Sequence, residues 1–357
     1  MKKFPLLMLL LFVAMSALSW NITDKYTGPK YPTTDLSWHA DILPGYEARY
    51  VDQGEAFDGP CRSTIVRLKS RPGVRRAYLY VHGFNDYFFQ SEMGRIFADS
   101  GYNFYAVDLR RYGRSKEPWQ WPYNIRDQKE YFQDIDSALA QIRRDGNIDI
   151  TLSGHSTGGL TVAYYAAVHG ADGNIQRVVT DSPFLEWNYS TFMRDCAIPV
   201  VEFLGKIFKN AKIKQSHCDG YAQSLLKEYH GQWTYNTDWK MPYSPPVTWS
   251  WVGAINHAQS ELMRLRDNIK VPILVMHSSR KITGCDWTPA FQTGDCVLDP
   301  GMLQQRGSRL GAPERRVVCA IDSGIHDLIL SEPTPRQAAY DSIFAFLKRF
   351  DPARKYR

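Results

Sequence analysis

From about residue 45 the chain alternates short runs of β-branched and aromatic residues with longer stretches whose apolar positions recur every three or four residues. STIVRLK and AYLYVH have the composition of strands, QSEMGRIFADSG that of a helix closed by a glycine, and NFYAVDL that of a strand again. The rhythm continues with a helix over 127–144, the strand IDITLSG, a helix from Thr157 and the strand RVVTD. Strands separated by single helices must pair in parallel, because each crossover returns the chain to the same end of the sheet, and the crossing helices cover both faces. The pattern predicts an α/β fold with a mostly parallel central sheet flanked by helices.

After Phe184 the rhythm stops for about 80 residues, in a stretch crowded with Trp and Tyr that contains a Pro-Pro pair and no strand alternation. This predicts an inserted helical cap over 185–268, dividing the core into 20–184 and 269–357. Beyond it the strand VPILVMHS, a helix near 301–310, the strand RRVVCAI and an amphipathic helix over 334–350 complete the sheet pattern. No internal repeat interrupts it.

The first nineteen residues follow a different rule. Two lysines, an apolar run of roughly a dozen residues and small residues around Ala17 and Ser19 have the layout of a secretory signal, which predicts export to the periplasm or the medium. The run falls short of the ~20 residues of a spanning helix. The other reading is a retained N-terminal anchor, with a peripheral membrane contact. Six cysteines, Cys61, Cys196, Cys218, Cys285, Cys296 and Cys319, permit disulfides in such a compartment. Cys196 with Cys218 and Cys285 with Cys296 are the first pairings to expect, since both fall in loop-rich inserts, and Cys319 has the setting of a plain buried thiol. None shows CxxC spacing or a clustered histidine, so no metal is expected. The net charge of +6 is spread along the chain without a basic stripe, which argues against a nucleic-acid partner.

The chemistry concentrates at GHSTGGL. Gly154, Ser156 and Gly158 have the G-x-S-x-G spacing of a nucleophile elbow, with a strand before and a helix after. A strained turn there would lift Ser156 into the open, with Thr157 at the N-terminus of the following helix supplying a free N–H where an oxyanion forms. The strand AYLYVH ends at His82-Gly83, so the backbone N–H of Phe84 is the second donor expected; His82 has the place of a loop-orienting residue.

An alcohol needs a base, and the base a carboxylate to hold its tautomer. His326 lies in the loop between the last strand and the final helix; His277 competes from the end of an earlier strand, and His155 should point away from the serine. Asp295, about 30 residues before His326, is the acid of choice. Asp299 before Pro300 has the place of a helix cap, while Asp286 and Asp181 remain alternatives.

Taken in order, VHGFNDY, YAVDLRRYGRS, GHSTGGL, DSPFL and GDCVLD…IHD resemble the lysophospholipase and monoacylglycerol-lipase-like branch of the bacterial α/β-hydrolases, also labelled serine aminopeptidase-like. The resemblance spans about 45–350 apart from the cap. It implies Ser156 as nucleophile, His326 as base, Asp295 as its acid, and no cofactor. One departure is SSRKITGCDW, where that branch often carries an acid soon after the strand. Hydrolysis of a lipid-like or small carboxylic ester is the expected activity. A peptidase is the alternative, needing a carboxylate for a substrate amine, for which Glu186 or Asp195 are candidates; a non-catalytic binding protein is the third.

Overall fold

The computed structural model describes residues 36–352 apart from 171 and 216–217; the expected signal over 1–19 lies outside them. In chain order the elements are β1 (His39–Ala40), β2 (Tyr46–Ala56), β3 (Gly59–Leu68), β4 (Arg76–Val81), α1 (Ser91–Asp99), β5 (Asn103–Asp108), α2 (Glu130–Arg144), β6 (Asp149–His155), α3 (Thr157–His169) and β7 (Arg177–Asp181). There follow α4 (Ile198–Gly205), β8 (Lys212–Ile213), α5 (Gly220–Leu225), β9 (Val247–Thr248), α6 (Trp249–Leu265), β10 (Ile273–Ser278), α7 (Pro300–Gly307), β11 (Arg316–Ile321) and α8 (Pro333–Arg349).

Among the described residues, nine strands form one sheet in the order β1-β2-β3-β5-β4-β6-β7-β10-β11. From β5 to β11 every pairing is parallel, and β1, β2 and β3 add an antiparallel edge. The alternation of side chains sorts the core into two faces. Ala77, Leu79 and Val81 of β4 join one cluster with Ile135 of α2 and Val162 of α3, while Tyr78 and Tyr80 join another with Phe97 of α1 and Phe346 of α8. Strands so enclosed need no polar face, which is why their sequences are nearly continuous apolar runs. The chain passes from β5 across β4 to β6, and this reversal opens a crevice at the carboxyl ends of β4 and β6.

Strand β2, next to the two-residue edge strand β1, left no clear alternation in the sequence. Tyr46 and Ala48 are buried, but its second half is polar and interrupted by a register shift between Asp52 and Glu55. In the stretch expected as a cap, α6 buries Trp251, Ile255, Ala258 and Leu262 in the same cluster as the sheet face. By its packing α6 is therefore one of the flanking helices, although it falls inside 185–268. Thr248 caps it, accepting a hydrogen bond from Trp251 N–H at 3.1 Å.

The expected cysteine pairs are corrected. Cys218 is bonded to Cys285, with their Cα atoms 4.7 Å apart, while Cys196 is exposed and free, and Cys296 is free and half-buried. Neighbours in sequence were the wrong guide, because the cap folds back over the loop after β10 and brings together residues 67 apart. Cys319, also free, is half-buried, and burial raises its thiol above the usual range. Alkylation without reductant, read by peptide mass, should modify Cys196 and leave Cys218 and Cys285 unmodified until a reductant is added.

Candidate active site

Ser156 joins β6 to α3 with φ 53° and ψ −116°, a backbone region that side chains other than glycine rarely occupy. Holding it there costs about 1–3 kcal/mol, so its surroundings must over-determine it. They do so by backbone contact. A Cβ on Gly158 would collide with the carbonyl oxygens of Val81 and His82, and one on Gly154 with the carbonyl of Gly158. Ser156 N–H donates to Asp181 O at 2.9 Å, and its carbonyl accepts from Leu160 N–H at 3.0 Å and Phe184 N–H at 2.9 Å. With both backbone groups spent on the frame, the side chain is left to the site.

Around that side chain the structure brings together the three residues singled out in the sequence. Asp295 is fully buried and accepts through Oδ1 from Val297 N–H at 2.7 Å and Leu298 N–H at 2.8 Å. Its Oδ2 lies 2.9 Å from His326 Nδ1, and His326 Nε2 lies 3.0 Å from Ser156 Oγ. A carboxylate can only accept, so Nδ1 carries the hydrogen and Nε2 is free to take the serine proton. The three come from different parts of the chain: the elbow after β6, the loop after β10 and the loop after β11. Such an arrangement can deprotonate an alcohol and stabilise the resulting imidazolium.

Phe84 and Thr157 are also at this corner. Thr157 opens α3, so its N–H has no partner within the helix. A Cβ built on Gly83 would stand 3.1 Å from Ser156 Cβ, so the residue that follows it enters the site directly. The Phe84 ring packs on Tyr123 at 4.9 Å and on Trp251 at 4.8 Å. His82 accepts from Leu109 N–H through Nε2 at 3.0 Å, which makes Nδ1 the donor to Gly83 O at 2.8 Å. It orients the loop.

The other candidates lie elsewhere or do other work. His277 is occupied on both nitrogens, by Ser278 O and Gln304 Oε1. Asp299 caps α7 through Gly301 N–H at 2.9 Å, as a carboxylate before Pro300 should, and Asp286 is exposed. Asp181 receives Leu328 N–H at 3.1 Å beneath the His326 loop. Burial, then the neighbouring Asp327 carboxylate, push its pKa well above the usual range. His155 turns towards Asp327, Nε2 to Oδ2 3.9 Å, and its ring lies edge-on to that of His326 at 4.8 Å. Burial, reinforced by His326, holds its pKa well below the ordinary 6.5.

Residues that the sequence did not single out are the ones that close the site. Tyr221 of α5 sets its ring edge-on to His326 at 5.7 Å, and Lys240, in the segment before β9, binds Asp86 at 3.0 Å. Asp86 lies two residues beyond Phe84, and that position was the available signal. Lys240 and Tyr221 sit where the apolar rhythm is absent and offer none.

Residues 72–282 match the family described as serine aminopeptidase, S33. The chain belongs to this family. Its α/β-hydrolase fold recurs in solved structures of low sequence identity, all similar in fold to this member of the S33 family. A monoacylglycerol lipase from Paleococcus ferrophilus is 17% identical at a TM-score of 0.57, with 85% of this chain and 99% of that one covered. A soluble variant of monoglyceride lipase from Saccharomyces cerevisiae is 16% identical at 0.59, covering 84% and 96%. Mouse alpha/beta hydrolase domain-containing protein 10 is 13% identical at 0.54, covering 85% and 99%. No curated protein sequence matches the chain. Membership makes the protein a hydrolase.

The buried, neutral His155 fixes the sign of one pH effect. Its pKa is lower folded than unfolded, so the unfolded chain binds the extra proton below about pH 6.5 and stability contributed by this residue falls with falling pH. Urea unfolding from pH 7 to 5 should show wild type losing up to ~1.4 kcal/mol per pH unit relative to His155→Gln. Parallel curves for the two proteins would contradict the assignment.

Proposed function

We propose that the protein is a serine hydrolase that cleaves carboxylic esters with an apolar acyl part through an acyl-enzyme. The observation that carries this is the hydrogen-bonded chain from Asp295 through His326 to Ser156 at a strained strand-to-helix turn. Ser156 attacks the ester carbonyl while His326 Nε2 takes its proton, and His326 then returns that proton to the departing alcohol. Phe84 and Thr157 N–H groups receive the developing oxyanion. Water, deprotonated by the same imidazole, releases the acid.

The substrate class is supported by the aromatic rings that start at the Phe84 turn and end at Phe184. Phe84, Trp251, Trp187 and Phe184 form a run of aromatic rings with successive centroids 4.8, 6.2 and 4.9 Å apart, and Phe184 is bonded through its N–H to Ser156 O. An alkyl or aryl acyl group meets such a wall favourably, a sugar or ionic group does not. Ser156 is 8% exposed and the Tyr221 ring stands edge-on to His326, which supports entry by a shift of the cap segment.

The family's name raises the peptidase reading, and the candidate carboxylates do not favour it. Glu186 is bound by Arg306 and stands 3.6 Å from Arg194, so its charge is already met, and Asp195 is exposed. Export is supported by the Cys218–Cys285 disulfide, a bond of oxidising compartments. A peripheral membrane contact is supported by Phe192, Phe203, Ile207 and Phe208, 54–66% exposed in one stretch, with Lys206 and Lys209 exposed among them. Among the described residues no helix is long and apolar enough to cross a membrane.

Short-chain p-nitrophenyl esters should be turned over by wild type, with loss of more than ~10³-fold in Ser156→Ala and Asp295→Asn. Asp286→Asn should retain near-normal rates; the reverse order of the two Asp variants would reassign the acid. An aminoacyl-anilide panel should give no turnover. Sedimentation with phosphatidylglycerol vesicles should carry the protein down, with affinity about tenfold or more weaker in Phe203→Glu/Ile207→Glu. Equal binding by the variant would remove the membrane contact.

A further inference from the structure

Next to His326 lies a second polar group that the mechanism above does not use. Asp86 from the turn after β4, His155 from β6 and Asp327 from the His326 loop offer oxygen and nitrogen atoms all within 4.8 Å of one another. Each is 4% exposed or less. Asp181, at the end of β7, stands under the same loop through its bond to Leu328 N–H. Buried carboxylates this close repel one another and are poorly solvated, a cost that a nearby cation reduces.

That cation is the ammonium of Lys240. It is 6% exposed, lies 3.0 Å from Asp86 Oδ1, and is surrounded by the rings of Phe89, Tyr221 and Tyr235 at 5.8–6.0 Å. Lys240 comes from the cap, whereas Asp86 belongs to the turn that bears Phe84, so the pair ties one to the other. The tie is doubled one residue earlier. Asn85 donates through Nδ2 to Met241 O at 2.9 Å and to Tyr243 O at 3.2 Å, and accepts through Oδ1 from Met241 N–H at 2.8 Å. Asn85 itself sits at φ 50°, a left-handed conformation that asparagine tolerates, and these bonds fix its side chain there.

We propose that Lys240 is a positioning residue for ester hydrolysis: bound to Asp86, it fixes the Phe84 turn and offsets the carboxylates behind His326. This rests on the serine hydrolase reading above. The groups facing His326 are Asp295 from the loop after β10, His155 from the elbow, Tyr221 from α5 and Asp327 beside it, with Asp86, Asp181 and Lys240 behind them. His155 is neutral there, because burial suppresses its protonation. The balance between Asp86 and Lys240 therefore acts on the His326 imidazolium with opposite signs. Removing the ammonium favours protonation of His326; removing the Asp86 charge disfavours it.

The test is the acid limb of kcat/KM against pH on a p-nitrophenyl ester, for wild type, Lys240→Met, Asp86→Asn and Asp86→Asn/Lys240→Met. Pre-steady-state burst amplitude counts the folded sites in each. The limb should move up by roughly half a pH unit in Lys240→Met, down by a similar amount in Asp86→Asn, and back to wild type in the double variant. Per-site kcat should fall about ten- to a hundredfold in Lys240→Met, with KM little changed, since the donor turn loses its anchor. The double variant removes the ammonium together with its direct partner, so Asp86 is not left as an unpaired charge and the variant reports even where Lys240→Met folds poorly: there, Asp86→Asn moving the limb down and the double variant restoring it would support the proposal. Unmoved limbs, shifts of one sign in both single variants, or a Lys240→Met protein that loses burst amplitude alone would overturn it. A wild type inert towards esters would instead overturn the hydrolase reading on which it stands.

Discussion

Everything at the site depends on one strained residue being held by contacts that tolerate no side chain. The turn at Ser156 exists because the backbone of α3 lies directly against the ends of β4 and β6, an approach open only to Gly154 and Gly158. That same approach places the open end of a helix behind the serine and the Gly83-Phe84 turn beside it. The strain, the placement of the N–H donors and the position of the Ser156 side chain are thus consequences of one packing arrangement, and the sheet's role is to make the arrangement rigid.

The remaining parts are loops, and each is secured by a different means. Asp295 is fixed by the N–H groups two and three residues beyond it, a local turn that needs no distant partner. His326 stands on a loop whose following residue, Asp327, accepts from Ile329 N–H at 3.2 Å, and whose Ile325 N–H donates to Ser331 Oγ at 3.0 Å. The cap is held by the Cys218–Cys285 disulfide, which joins the start of α5 to the loop that carries Asp295. Any movement of the cap away from the site would keep this covalent tether and have to release contacts such as Tyr221 against His326.

What could be read in the sequence was whatever a local rule governs. Central strands buried on both faces are continuous apolar runs, so β4 to β7 and β10 stood out, the half-buried outer strand β11 was readable from its β-branched run, and the elbow was visible as three small residues between a strand and a helix. Asp299 before Pro300 announced a helix cap, and it is one. Strand β2 escaped because its second half is polar and largely open to water. The disulfide and the Lys240–Asp86 pair escaped for another reason: they join positions 67 and 154 apart, and nothing in a chain's local pattern records which distant loops fold together.

The most direct test of the account is where a fluorophosphonate attaches. It reacts only with a serine whose oxygen is made nucleophilic by a neighbouring base. Peptide mass analysis should find a single adduct, on the peptide containing GHSTGGL at Ser156, and none in His326→Ala. No adduct on the folded wild type, an adduct on another serine, or labelling that survives loss of His326 would contradict the central claim.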